Sequence, residues 1–187
     1  PEAKVILLPN VASYVGGDIV SGILASGIWA QDENILFLDL GTNGEIVLGN
    51  RDYLLSCACS AGPAFEGGEI SCGMRAAPGA IESIKIDRET FEPSINVLGD
   101  IQPKGICGSG LIDLIAEMFL SGIIDSKGKI SREVSSDRIR YDEDLDVMEY
   151  VLVRDKDSYD GRDITINEID IDNLLRAKAA VYSGLSV

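Results

Sequence analysis

Residues 35–49, ILFLDLGTNGEIVLG, decide how the rest of this chain is interpreted. An apolar run ends in a polar turn bracketed by glycines and a second apolar run follows, which predicts a β-hairpin. Because the first arm is apolar on both faces, we expect it to be a central strand that is covered on both sides. A tight turn would need only an Asn-Gly pair, yet Asp39, Thr42 and Glu45 also lie at this turn.

The polar turn has two interpretations. In the first, its backbone N–H groups and the side chains of Thr42 and Asn43 surround a phosphate, and Asp39 binds Mg²⁺ directly or through water. Glu45 would then orient or deprotonate an attacking water. In the second, the sequence forms a type I′ turn and Asp39 is merely hydrogen-bonded. A Walker A loop does not fit, because Gly44 is followed by Glu45 and a strand instead of a lysine and a helix.

The composition narrows the class of protein. The 187 residues are 45% apolar and 25% charged, as in a soluble globular protein. The net charge of −15 argues against binding to nucleic acid or anionic lipid, and no apolar run approaches the roughly 20 residues of a membrane span. The absence of His removes the commonest general base. The chain starts without Met and without signal-peptide character, so we expect a cytoplasmic protein and a chain that begins inside a longer one.

The four cysteines, Cys57, Cys59, Cys72 and Cys107, show neither a Cys-x-x-Cys pair nor a ferredoxin-type spacing. Cys57 and Cys59 are two residues apart on a predicted strand, so their side chains should point the same way. The cysteines fit small core residues in a reducing compartment. A bound metal or a redox pair is the alternative.

The rest of the chain alternates helices and strands, which indicates an α/β or α+β fold. Apolar residues at helical spacing predict a helix over residues 18–29, and a second apolar stripe predicts a helix that ends near Gly122. That stripe consists of Leu111, Leu114, Ile115, Met118 and Phe119. Further strands are predicted over residues 52–60, 81–86 and 94–98, with one or two helical turns over 66–72.

The last third of the chain combines a polar segment with a helix. Residues 126–163 are highly charged and should form a peripheral excursion outside the core, with one strand over residues 147–153. A helix should follow, because Thr165 and Glu168 have the spacing of a capping box before an apolar stripe.

Three blocks carry a resemblance to a known family. LFLDLGTNGEIVLG (36–49) is similar to the second phosphate-binding hairpin of the actin-like ATPase superfamily. Together with AGPAFEGGEISCGMRAAPGAIE (61–82) and GICGSGLID (105–113), it resembles the ATPase domain of reductive activators of corrinoid proteins. LLRAKAAVYSGL (174–185) is similar to a later helix of that family.

The resemblance implies an α/β fold, namely one lobe of an actin-like, ribonuclease H-like ATPase domain with a mixed sheet flanked by helices. It covers nearly the whole chain apart from the polar excursion, so residues 1–187 would form this one lobe. Its expected parts are an inter-lobe strand and helix (1–30), a nucleotide-binding core (31–122), the peripheral excursion (123–163) and a C-terminal helix (164–187).

The resemblance also implies a function. Members of this family use ATP to drive the electron transfer that returns an inactive Co(II) corrinoid protein to Co(I). ATP and Mg²⁺ are therefore the expected ligands, a corrinoid protein is the expected partner, and the electrons would come from an iron–sulfur cluster outside this chain. Asp39 and Glu45 would be catalytic, with Asp39 as the metal ligand. The residues expected to face the phosphates and Mg²⁺ are Asp39, Gly41, Thr42, Asn43, Gly44 and Glu45.

Two other blocks contain candidate binding residues. Glu66 would lie near the nucleotide, with Gly67 and Gly68 allowing a close approach of the backbone. The alternative is a solvated helix face whose glycines serve packing. Arg75 is either a phosphate contact or a surface group.

Gly108, Ser109 and Gly110 precede a predicted helix and would aim backbone N–H groups at a ribose or a phosphate. In the alternative interpretation, Ser109 is the N-cap of that helix and the glycines make a tight turn.

An actin-like site lies between two lobes, and the resemblance places its other half outside this chain. The first phosphate hairpin is expected before Pro1 and a Gly-Gly adenosine loop after Val187. We therefore expect the isolated chain to bind ATP weakly or not at all and to be inactive by itself. Two rival functions stay open: a small-molecule kinase lobe of the same fold, and a non-catalytic lobe whose acidic surface docks a partner. Formation of a homodimer also stays open.

Overall fold

The predicted hairpin forms in the computed structural model, which describes residues 3–187. It belongs to a three-stranded antiparallel sheet with the order β1-β2-β3. The strands are β1 (Ile35–Leu40), β2 (Gly44–Gly49) and β3 (Leu54–Cys59). The third strand, predicted over residues 52–60, is thereby confirmed.

The first arm of the hairpin is an edge strand. Within the described residues β1 pairs only with β2, so the predicted central position is wrong. Leu36, Leu38 and Leu40 point to one face of the sheet and are 46%, 40% and 39% exposed. An apolar pattern on both faces shows that a strand needs cover, but it does not show which neighbour supplies the cover.

A helix packs on the other face of this sheet. α1 (Gly17–Ser26) ends earlier than predicted, and a short 3-10 turn follows it. Ile19 on the helix packs against Val47 of β2 in a small apolar core. Gly22 is required at the contact with β1, because an added Cβ would lie 2.5 Å from the ring of Phe37.

The chain divides into two compact units. The first contains the chain up to residue 61 together with residues 178–187, and the second contains residues 62–177. The sheet β1-β2-β3 and α1 belong to the first unit. Residues 3–10, where a strand was expected before α1, form neither helix nor strand.

A mixed sheet and a helix form the first half of the second unit. The sheet has the order β5-β4-β6, with an antiparallel and a parallel pair. Its strands are β4 (Ala80–Ile86), β5 (Pro93–Val97) and β6 (Gly105–Ile106). The strand pair predicted over residues 81–86 and 94–98 is confirmed, and this mixed sheet with its helix agrees with the α/β fold class.

The helix α2 (Gly108–Leu120) packs against β4. Four members of the predicted stripe are buried, namely Leu111, Leu114, Ile115 and Met118. The prediction is wrong for Phe119, which is largely exposed. Phe119 lies one position past Met118, where the helix surface turns away from the sheet. The helix stops before Gly122, whose φ of 77° suits a glycine that ends a helix.

The polar segment and the residues after it form a third sheet, with the order β7-β8-β9. Its strands are β7 (Ile139–Asp142), β8 (Val147–Val153) and β9 (Ile164–Asn167). The predicted strand over residues 147–153 is confirmed, but its exclusion from the core is wrong. Tyr150 and Leu152 are almost completely buried, and the Tyr150 hydroxyl donates to the carbonyl of Phe91 at 2.8 Å. The charged residues on both sides of β8 made the whole segment read as peripheral, although the strand itself is buried.

The helix α3 (Glu168–Leu185) begins with a capping box that differs from the predicted one. The Asn167 side chain accepts from the backbone N–H of Ile169 (2.9 Å) and of Asp170 (3.0 Å). In return, the Asp170 carboxylate accepts from the backbone N–H of Asn167 at 3.2 Å. The predicted pair of Thr165 and Glu168 is wrong, because Thr165 still belongs to β9.

We expect Asn167→Ala to lower the free energy of unfolding by about 1 kcal/mol, the usual contribution of an N-cap side chain. Thr165→Ala is the matched control, two residues earlier on β9, and should have a smaller effect. Urea denaturation followed by circular dichroism measures both variants. A larger decrease in the free energy of unfolding for Thr165→Ala than for Asn167→Ala would support the capping box of Thr165 and Glu168 that was predicted from the sequence.

Candidate functional site

The hairpin turn in the first unit has three residues, Gly41, Thr42 and Asn43, between the paired ends Leu40 and Gly44. The N–H of Gly41 donates to the carbonyl of Asn43 at 3.0 Å. A type I′ turn needs a positive φ at both central residues, and neither Asn43 nor Gly44 has one. The type I′ interpretation is therefore wrong, and the turn is a longer polar loop.

The base of this turn is held by close packing at Gly44. An added Cβ would lie 2.8 Å from Sγ of Cys59 and 3.2 Å from Cγ2 of Val181 on α3. The Cys59 thiol donates to the carbonyl of Gly44 at 3.1 Å, and burial raises the pKa of this thiol. Cys57 points the same way, as predicted, and donates to the carbonyl of Gly184 at 3.4 Å. Both cysteines therefore contribute to the packing between the hairpin sheet and the end of α3.

The candidate catalytic residues Asp39 and Glu45 are direct cross-strand partners on β1 and β2. Partial burial raises the pKa of Glu45, and the negative charges of Asp39 and Asp18 raise it further. Asp18 lies in the first turn of α1. Like charges directly opposite each other weaken an antiparallel pair. The turn end of this sheet is therefore a site where a bound cation would relieve repulsion.

The glycine-rich loop in the second unit adopts a different local structure from the predicted one. A 3-10 helix over Pro63–Glu66 is followed by turns at Gly67 (φ 80°) and Glu69 (φ 59°). The predicted helical turns over residues 66–72 are therefore wrong. An added Cβ at Gly67 would lie 2.7 Å from the backbone N of Met74, so the loop folds back on itself at a glycine.

The start of α2 packs directly on this loop. Cys107 is the N-cap residue, so the prediction of Ser109 as N-cap is wrong. The Cys107 thiol donates to the carbonyl of Ile81 at 3.3 Å and lies 3.3 Å from the Ser109 hydroxyl. A Cβ at Gly108 would overlap the carbonyl oxygen of Phe65. Two backbone segments therefore meet here at a distance that only glycine allows.

A pocket of about 350 Å³ lies where the loop and the helix meet. It brings the predicted residues Glu66, Gly108 and Ser109 together, although they are far apart in the sequence. The lining residues are Phe65, Glu66, Met74, Arg75, Ala76, Cys107, Gly108 and Ser109. Apolar side chains, an acid, a base and the N-terminus of a helix thus surround one cavity, a composition typical of a small-molecule site.

Three glycines of these two blocks, Gly67, Gly68 and Gly110, were predicted to bind but do not line this pocket. An added Cβ at Gly68 would lie 2.6 Å from Cβ of Pro63, and one at Gly110 would overlap the carbonyl oxygen of Ile81. Gly67 closes the loop as described above. These glycines are closely packed against neighbouring backbone or side-chain atoms, and their contact with a ligand stays a prediction.

Several pocket residues had only weak signals in the sequence. The sequence left two interpretations for Arg75, a phosphate contact or a surface group. In the structure it lines the pocket together with Met74. Phe65 and Ala76 had no signal beyond the density of glycine and proline around them. Their position depends on the chain reversal at Gly67, which no local periodicity indicates.

The structure describes no group of three or more His, Cys, Asp or Glu residues that could hold a metal ion within residues 3–187. All four cysteines are free thiols. In the same part of the chain, each helix is too short or too polar to cross a membrane.

Two family models match this sequence. The C-terminal domain of RACo, the ASKHA domain, matches residues 33–187, and the RACo middle region matches residues 1–31. A solved structure of a reductive activator for corrinoid, iron-sulfur protein superposes with a TM-score of 0.91 at 55% identity. The superposition covers 96% of this chain and 28% of that one.

Two curated proteins are similar over much of the chain. The corrinoid activation enzyme RamQ of Eubacterium limosum is 36% identical over 191 residues, which is 98% of this chain and 31% of the relative. The Co(II) methylated amine-specific corrinoid protein reductase of Methanosarcina barkeri is 31% identical over 149 residues, or 69% of this chain and 28% of the relative. The chain thus spans less than a third of the length of these relatives.

We expect Asp39→Asn to lower the pKa of Glu45, because of the two negative charges that raise it the one removed has the larger effect. Asp18→Asn should lower it less. When the pKa of a carboxyl group is higher in the folded than in the unfolded state, the free energy of unfolding decreases as the pH rises through the folded-state pKa. In Asp39→Asn this decrease should therefore be smaller. Carbon-detected NMR titration of the glutamate carboxyls measures the shift. A larger decrease in Asp18→Asn would contradict the cross-strand assignment.

Proposed function

Because this chain belongs to the family of reductive activators of corrinoid proteins, with the ASKHA domain over residues 33–187, we propose that it binds and hydrolyses Mg-ATP as part of such an activator. The observation that carries the proposal is the pair of opposed carboxylates, Asp39 and Glu45, beside a three-residue polar turn. A scaffold hairpin would gain nothing from this repulsion, whereas a magnesium–phosphate site needs acids at such a turn.

The residues present fit Mg²⁺. This ion keeps several waters when it binds phosphates and takes only one or two carboxylates from the protein. A cluster of three protein ligands is therefore not required at the turn. Asp39 would hold the ion, directly or through a water, and its charge would then no longer oppose that of Glu45.

Glu45 is the candidate that orients or deprotonates the attacking water. Burial is the first cause that raises its pKa, and a raised pKa makes a carboxylate a better proton acceptor. In the hydrolysis, the water oxygen bonds to the γ-phosphorus and the bond to the bridging oxygen breaks. The products are ADP and phosphate, and the proton of the water goes to Glu45.

The turn itself would position the phosphates. Gly41, Thr42, Asn43 and Gly44 lie between the two acids. The Gly41 N–H closes the turn onto the Asn43 carbonyl, and backbone N–H groups of successive residues after it can converge on an anion. Thr42 and Asn43 add side-chain donors to the same loop.

The pocket of the second unit, considered by itself, also has a lining that suits part of a nucleotide. Its apolar walls, Phe65 and Met74, suit a ring, and Arg75, Ser109 and the N-terminus of α2 suit a ribose or a phosphate. Glu66 would accept hydrogen bonds from hydroxyl groups of the ligand.

For the whole protein, we propose that ATP hydrolysis changes the conformation of the activator and so drives an electron onto a Co(II) corrinoid protein. The electrons would come from an iron–sulfur module elsewhere in the full-length protein, and the reaction would take place in the cytoplasm. The names of the relatives support this proposal over a small-molecule kinase.

The test uses the full-length protein with Asp39→Asn or Glu45→Gln. We expect Glu45→Gln to lower kcat for ATP hydrolysis by about 10²–10⁴-fold, as for the loss of a general base, with ATP binding largely retained. Asp39→Asn should raise the Mg²⁺ concentration that half-saturates the reaction. Asp52→Asn, at the turn on the opposite end of the same sheet, is the matched control and should behave like the wild type. Unchanged hydrolysis in both variants would favour a docking lobe without catalysis.

A further inference from the structure

One buried carboxylate is tied to the glycine-rich loop by more contacts than a helix cap requires. Asp170, in the first turn of α3, is 3% exposed. It accepts hydrogen bonds from the backbone N–H of Ser71 at 2.8 Å and from the Ser71 hydroxyl at 2.6 Å. A third donor is the N–H of Asn167, which completes the capping box. The capping box alone would leave one carboxylate oxygen free for solvent.

The partner of these bonds lies inside the candidate binding loop. Ser71 comes between Glu66 and Met74, both of which line the pocket. A second bond from α3 supports the same loop, because the side-chain amide of Asn173 donates to the carbonyl of Glu69 at 2.8 Å. Glu69 has a positive φ of 59°, which a residue with a side chain adopts only under constraint.

The other side of the loop is fixed by backbone bonds. The N–H of Ile106 donates to the carbonyl of Cys72 at 2.9 Å, and the N–H of Met74 donates to the carbonyl of Ile106 at 2.8 Å. The segment from Ser71 to Met74 is therefore held between α3 on one side and β6 on the other. β6 leads directly into the start of α2, which forms the opposite wall of the pocket.

From this geometry we infer that Asp170 is a positioning residue for the nucleotide pocket. It fixes Ser71 through two hydrogen bonds and so sets the distance between Glu66 and Met74 on one wall and Ser109 on the other. This inference rests on the proposed function, since it assigns to Asp170 an effect on nucleotide binding and not only on folding. Breaking the hydrogen bonds of a buried carboxylate that has three donors costs free energy. Asp170 therefore holds an otherwise irregular loop in one conformation.

The test compares Asp170→Asn and Ser71→Ala with Asp172→Asn in the full-length protein. Asp172 lies on the same helix, is exposed and pairs with Arg176, so it controls for the loss of one charge from α3. Asparagine at position 170 keeps the shape but offers one acceptor oxygen where three donors converge. We expect Mg-ATP to bind about tenfold more weakly in Asp170→Asn and somewhat less so in Ser71→Ala, because each loses a bond to a charged group.

Two ligand-free measurements separate a failure of this inference from a failure of the proposed function. Hydrogen exchange should speed up at residues 66–74 in Asp170→Asn and not in Asp172→Asn. Burial and the charge of Asp170 together raise the pKa of the Cys72 thiol to about 12, so alkylation of Cys72 should shift to lower pH in Asp170→Asn.

The outcomes are distinct. Faster local exchange together with weaker ATP binding, at a melting temperature close to that of the wild type, supports the inference. Faster exchange with unchanged ATP affinity would overturn it and leave Asp170 a structural residue. Unchanged exchange in Asp170→Asn would also overturn it. If the wild-type protein shows no Mg-ATP binding, the proposed function fails, and the inference about the pocket fails with it.

Discussion

The contact between Gly108 and the carbonyl of Phe65 is the constraint on which the candidate pocket depends. A side chain at this position would overlap the oxygen, so the backbone of α2 can meet the loop only through glycine. This approach puts Ser109 and Glu66 in the lining of one cavity, which has a volume of about 350 Å³. The neighbouring glycines extend the same principle, since Gly110 meets the carbonyl of Ile81 in the same way.

Electrostatics define the other candidate site. Asp39 and Glu45 oppose each other across two strands, and Asp18 adds its charge from α1. Nothing in the folding of a hairpin requires this arrangement, and repulsion between the acids opposes it. The hairpin nevertheless forms because β2 is well packed, with Ile46 and Val47 buried. The stability of the strand therefore supports a cluster of charges whose repulsion a bound cation would relieve.

The periodicity of apolar residues predicted the helices and strands whose formation depends on local sequence. It was less successful for features that depend on contacts between residues far apart in the sequence. The hairpin, α2 and β8 follow from alternating or helical apolar spacing, and each forms as predicted. The edge position of β1 and the N-cap at Cys107 depend on which distant segments of the chain pack against them. The capping box begins at Asn167 instead of Thr165 because residues 164–167 form the strand β9, which was not predicted from the sequence. The same difference applies to the candidate sites. Asp39 and Glu45 could be identified from the sequence, whereas Phe65 and Met74 line the pocket only because the chain reverses direction at Gly67.

The exposed edge of β1 has a consequence for the solution behaviour of this chain. Five of its six residues are uncharged and apolar, and three leucines are partly open to solvent. Such an edge is a template for pairing with a strand of another molecule. The net charge of −15 keeps copies apart through long-range repulsion. Because salt screens this repulsion over about 10 Å at 0.1 M, the solubility of the chain should decrease as the ionic strength rises.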